Sequence, residues 1–283
     1  MTVLACIDGS RYAVSVCSYA ARAALRLGVG VELLHAIDRP LEGGEAIDRS
    51  GRMTVDMAEA TLEEFARLSE ERSRLAQAQG RLILDQAASW VRAAGVETVR
   101  ERLVFGGLVD NLRDHEVDAR LIVVGKRGEA ENQAAAHLGS NLERVVRASH
   151  HPVLIVPPEQ RPLRRFVVAY DGGPSSTKVI DILTQEPLLL DAECHLLMVS
   201  AADAEHRSRL AAATARLRDA GYSVNEVMTP GQADKAILAT VRNTDADLLV
   251  MGAYGHARIR TLIIGSTTTA LLRASMVPVL VVR

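Results

Sequence analysis

Residues 252–266 read Gly-Ala-Tyr-Gly-His-Ala-Arg-Ile-Arg-Thr-Leu-Ile-Ile-Gly-Ser and follow directly on the apolar run Leu248, Leu249, Val250, Met251. The pattern is Gly-x2-Gly-x9-Gly-Ser behind a buried strand. A strand that stops in a glycine loop and restarts as a helix at Ser266 aims backbone N–H groups and a positive helix end at one small volume, which suits a phosphate chain. Gly252 and Gly255 let the backbone approach a ligand, Gly265 removes a Cβ beside it, and Ser266 can cap the helix or donate to a phosphate oxygen. By itself a Gly-x2-Gly pair is equally a tight turn.

The same passage occurs twice. Residues 117–156 carry an Ile-Val-Val-Gly-Lys-Arg-Gly run, then Leu-Gly-Ser, then His-Pro-Val-Leu-Ile-Val, and align with residues 244–282. Two further pairs keep the order: Leu4–Ser10 (LACIDGS) matches Val167–Gly173 (VVAYDGG), and Val31–Asp38 (VELLHAID) matches Cys194–Ala201 (CHLLMVSA). The chain reads as an internal duplication, with one domain over 1–158 and a second over 164–283. Between them Pro157-Pro158-Glu159-Gln160-Arg161-Pro162 reads as a short, semi-rigid linker.

Composition bounds the function. With 283 residues and 48% hydrophobic content the chain can fill two ordinary cores. A net charge of -2 and 3% aromatic residues argue against a nucleic-acid surface. No apolar stretch reaches the ~18–20 residues of a membrane helix, and the first strand begins at once with no signal peptide, so a soluble, cytoplasmic protein is expected. Cys6, Cys17 and Cys194 have no paired spacing and are expected to stay reduced and buried.

Strands and helices alternate throughout, which implies parallel sheets with right-handed crossovers and ligands beyond the carboxyl ends of the strands. In the first copy the pattern predicts strands at 3–7, 31–37, 96–104, 120–124 and 153–156. Helices are expected at about 11–27, from near Thr54 to Ala94 with a break around Gly80, at about 107–116 and from Ser140. Trp90 and Val91 are expected on the buried face of the long helix, and Arg39–Gly51 as a loop. The second copy repeats the order with strands at 166–170, 193–199, 222–228, 247–251 and 277–282, and a single helix of about 204–220 in place of the long insertion. Asp8, Asp171 and both glycine loops fall at strand ends.

Strand-Asp-Gly-Ser, LLHAID, IVVG-x2-G and VMG-x2-G-x9-GS with a closing Pro-Val-Leu-Val-Val strand resemble the universal stress protein family in its tandem form, over nearly the whole chain. The resemblance implies an α/β fold of two tandem five-stranded parallel-sheet sandwiches, Rossmann-like and adenine-nucleotide alpha-hydrolase-like. They would pair through their last strands, His151–Pro157 and Val277–Arg283, as an intramolecular pseudo-dimer. Pairing would remove two apolar edges; a homodimer of chains stays open. The resemblance further implies an ATP-binding stress or signalling module, with or without Mg2+, acting on an unidentified protein partner. An aspartate after the first strand would meet the nucleoside, backbone after the second strand the adenine, and the glycine loop with its serine the ribose and phosphates. In the second copy these are Asp171, Val199, Gly252, Gly255, Gly265 and Ser266, with Thr267 beside them. In the first they are Asp8, Ala36, Gly125, Gly128, Gly139 and Ser140. There, ten residues rather than nine separate Gly128 from Gly139, and Glu129 and Glu131 would oppose a triphosphate. The second copy is therefore expected to be the better site.

Plainer readings stand beside these. Asp171 can serve as an Asx turn and Ser266 as a helix N-cap. Arg258 and Arg260 can clamp phosphates or face solvent, and His256 has no neighbouring carboxylate to orient it. His150, His151, Cys194 and His195 lack metal-ligand spacing. Asp171–Ser176 superficially resembles a pyrophosphatase loop but lacks its leading Ser and internal Asp, and no Walker-type loop or nucleophile elbow is present. Binding without efficient turnover is favoured, with a slow ATPase and a structural interaction module as alternatives.

Overall fold

A computed structural model describes residues 1–37, 55–128, 140–253 and 265–283, with backbone alone at 55–63 and 140–141. The first half runs β1 (Thr2–Cys6), α1 (Ala13–Leu27), β2 (Gly30–Ile37), α2 (Val55–Ala93), β3 (Val99–Phe105), α3 (Leu108–His115), β4 (Ala119–Gly125), α4 (Ser140–Ala148) and β5 (Val153–Val156). The second runs β6 (Arg165–Ala169), α5 (Pro174–Gln185), β7 (Glu193–Val199), α6 (Ala204–Asp219), β8 (Val224–Thr229), α7 (Ala233–Asn243), β9 (Leu248–Gly252), α8 (Ser266–Ala274) and β10 (Val279–Val282).

These strands form one ten-stranded sheet in the order β3-β2-β1-β4-β5-β10-β9-β6-β7-β8. All neighbours are parallel except β5 and β10, which run antiparallel with Leu154 opposite Leu280. The pairing of the two closing strands follows the expectation drawn from the resemblance. Alternate residues face opposite sides of a strand, so β1 feeds two cores: Val3 and Ala5 join one apolar cluster, Leu4 the other. Both clusters continue across the seam, through Phe166 and Leu280 on one face and Val167 and Val279 on the other. Helices α1, α2, α5 and α6 cover the first face, and α3, α4, α7 and α8 the second. The outermost strands β3 and β8 carry Arg100, Glu101, Arg102, Asn225 and Glu226 instead of an apolar run, which blunts edge-to-edge pairing. The linker is held against α1: Tyr19 Oη accepts the Arg161 N–H at 3.1 Å, and Arg22 donates to the Arg161 carbonyl at 2.7 Å.

Three readings are corrected. Gly80 does not break α2, which is continuous over Val55–Ala93. A Cβ there would lie 2.7 Å from Leu103 Cδ1 and 2.9 Å from the His35 ring, so glycine serves the approach of α2 to β2 and β3. Trp90 is 37% exposed while Val91 is fully buried, because neighbours on a helix point about 100° apart. The third strand starts at Val99, after a turn that buries Val96. The loop predicted at Arg39–Gly51 lies outside the described residues. The three cysteines are free and buried, and burial pushes each thiol up to about 12, helped at Cys6 by the Asp8 charge. Among the described residues no helix is long and apolar enough to cross a membrane.

Candidate functional site

In each half the chain leaves the first strand toward one edge and returns on its other side, which opens a crevice beyond the carboxyl ends of the strands. In the second half that crevice lies over β6, β7 and β9 and has a volume of about 340 Å3. Its floor and one wall are apolar, from Ala169, Leu197, Val199, Ile237, Met251 and Leu271. These residues belong to strands and helices whose other side chains fill the core, so the wall is preformed.

Two polar groups converge on this surface. The first is the turn after β6. Asp171 Oδ1 accepts from the Gly173 N–H at 2.8 Å and from Ser176 Oγ at 2.6 Å, while Gly172 adopts φ +73°, a region that favours glycine. The Asx-turn reading of Asp171 thus holds, and the same turn sets its carboxylate at the crevice. The second is the start of α8. Its N-cap is Gly265, with extended ψ and no side chain to offer, so Ser266 is the first helical residue and not the cap. The positive helix end and the exposed Ser266 and Thr267 open on the cavity. Buried Thr268 donates to the Ala253 carbonyl at 3.1 Å and ties the helix to the end of β9.

Asp171, Val199, Gly252, Gly265, Ser266 and Thr267 are therefore brought together around one cavity. Gly255, His256, Arg258 and Arg260 lie outside the described residues. Gly252 has a reason of its own: a Cβ there would lie 2.6 Å from Ser175 Cβ, so the close approach is that of α5 to the strand end. Asp171 is the one charged residue among the described residues of the lining. A phosphate chain is thus better placed at the α8 end than at the Asp171 turn. Ser176, Met251 and Thr268 were not anticipated as lining residues; Thr268 sits in a visible Ser-Thr-Thr-Thr run, whereas Met251 was read only as the end of the apolar strand.

The first half repeats the frame with different contents. Asp8 Oδ1 accepts the Ser10 N–H at 3.1 Å, and Ala36 lies half-buried one residue before the end of β2. A Cβ on Gly125 would lie 2.8 Å from Tyr12 Cβ, repeating the packing role of Gly252. At Gly128 a Cβ would lie 3.3 Å from Asp8 Oδ2, so the backbone after β4 comes down on that carboxylate. Ser140 begins α4. Gly139, Glu129 and Glu131 lie outside the described residues. Lys126 turns away: its Nζ donates to the carbonyls of Arg273 at 2.8 Å and Ser275 at 2.7 Å, at the carboxyl end of α8. Burial lowers its pKa to about 8, and Arg127 adds to the fall.

The model of the universal stress protein family matches residues 1–157 and 199–283. Universal stress protein Slr1230 of Synechocystis sp. is 34% identical over 284 residues, which span 99% of this chain and 99% of that protein. Universal stress protein Rv1996 of Mycobacterium tuberculosis is 25% identical over 184 residues, 64% of this chain and 56% of its own length. Among solved structures, a universal stress protein from Archaeoglobus fulgidus superposes with a TM-score of 0.71 at 21% identity, over 100% of this chain and 96% of that one. The chain belongs to the universal stress protein family.

Proposed function

We propose that this chain is a nucleotide-responsive stress or signalling protein of the cytoplasm that binds ATP, with or without Mg2+, in the crevice over β6, β7 and β9. The observation that carries the reading is the meeting of an apolar wall, the Asp171 turn and the open start of α8 in one cavity of about 340 Å3. The adenine packs near Val199 and the apolar wall, the sugar hydroxyls reach the Asp171 carboxylate, and the phosphates lie at the N–H groups and hydroxyls of Ser266 and Thr267. The proposed domains are 1–158 and 164–283, with the first the weaker nucleotide site. Binding rather than turnover is favoured because the carboxylate in the described lining is already engaged by Gly173 and Ser176 and is poorly placed to act as a base. Mass spectrometry of ligand released from freshly purified chain tests the reading: an adenine nucleotide is expected, and its absence both there and after incubation with ATP overturns the proposal.

A further inference from the structure

We propose that the first half carries a separate anion site on its outer helix pair, which takes a small oligophosphate. Arg113 of α3, Arg144 and Arg147 of α4, His150 and Arg283 line an open basin of about 620 Å3. Asp110 is the acidic residue in the described lining. In a chain whose net charge is -2, four guanidinium groups around one carboxylate are a marked local excess. Arg113 and Arg144 are exposed, and among the described residues neither forms an ion pair.

The basin is framed by fixed groups. His150 Nδ1 lies 2.8 Å from Oε1 of the buried Glu116, whose other oxygen accepts from Ser149 Oγ at 2.9 Å and from the His150 N–H at 3.2 Å. Arg283, from the end of the second half, donates to the Arg147 carbonyl, so both halves contribute to the rim. The duplication supplies an internal control. Counting from the helix starts Leu108 and Ala233, Arg113 corresponds to Leu238. Counting from Ser140 and Ser266, Arg144, Arg147 and His150 correspond to Ala270, Arg273 and Met276. The second half builds the same helix pair without the guanidinium groups of Arg113 and Arg144 and without the His150 imidazole, so the scaffold does not require them.

Guanidinium groups that line one basin carry like charges, and a multivalent anion offsets their mutual repulsion. Each planar fork matches a pair of phosphate oxygens. Several forks spread around a basin this large suit two or three linked phosphates better than one. The site faces α3 and α4 and not the crevice of the second half, so it stands whether or not that crevice holds ATP.

The test is calorimetric titration of inorganic tripolyphosphate into the full chain carrying Thr267→Asp, which places a like charge at the start of α8 and blocks the crevice to phosphates. One site is expected, weakened at least tenfold by Arg113→Gln with Arg144→Gln and less by the paired Lys changes, which keep charge but lose the fork. Circular dichroism checks that these exposed substitutions leave the fold intact. ATP titrated into the same background distinguishes the source: comparable affinity identifies a nucleotide tail, and much weaker affinity an inorganic oligophosphate. Absence of tripolyphosphate binding, an unchanged affinity in the double Gln variant, or an equal loss on Arg72→Gln with Arg81→Gln on α2 overturns the proposal.

Discussion

The two halves share a sheet order, a turn after the first strand and a glycine at the end of the fourth, yet they present different surfaces at that end. In the second half, the start of α8 opens on a cavity with Ser266 and Thr267 exposed. In the first half Gly128 brings the backbone against Asp8, and Lys126 reaches across the seam to the carboxyl end of α8. One copy thus presents an apolar-walled crevice with a polar turn and an open helix start, and the other supports the helix that forms part of its wall. The two halves share the frame and differ in the residues that follow the fourth strand and open the last helix.

The largest expected effect concerns what is shared. Gly125→Ala and Gly252→Ala place a Cβ within 2.8 Å and 2.6 Å of Tyr12 and Ser175 respectively, so both should destabilise the chain by about 1–3 kcal/mol in denaturant unfolding. Similar losses would sharpen the comparison by showing that these glycines serve helix packing in both halves. A loss at Gly125 alone would break it.

A smaller effect is expected from what differs. Lys126→Met removes two hydrogen bonds to carbonyls at the carboxyl end of α8, worth about 1 kcal/mol at this half-exposed position. In the folded chain Lys126 gives up its proton near pH 8, below the ordinary lysine value of 10.5. Between those values the unfolded chain holds more protons, so the stability this group contributes rises with pH. The gap between wild type and Lys126→Met should widen from pH 8 toward pH 10.5; a constant gap would remove Lys126 from the account.

What the sequence revealed follows from which interactions are local. Strand ends were legible because unbroken apolar runs such as Leu248–Met251 stop at glycine, whereas the seam was expected from the family resemblance, which the Pro-Val-Leu strand closing both copies helps to carry. Gly80 was misread because Leu103 and His35, which crowd it, lie far away in sequence. Ser266 was displaced by one position from the cap because loop and helix residues there look alike until backbone angles are known. The Lys126 contacts join residues 147 and 149 positions apart, beyond any local pattern. Asp171 was legible in both of its readings, since the Asx turn and the placement at the crevice use the same carboxylate.

The central claim is that nucleotide occupies the second half in preference to the first, and hydrogen exchange with and without ATP tests it most directly. Amides of 265–272 and of the Asp171 turn should gain strong protection, those of 140–148 and the Asp8 turn little, and Thr267→Asp should erase the difference. Equal protection of both helix starts, or none at 265–272 at saturating ATP, would contradict the account.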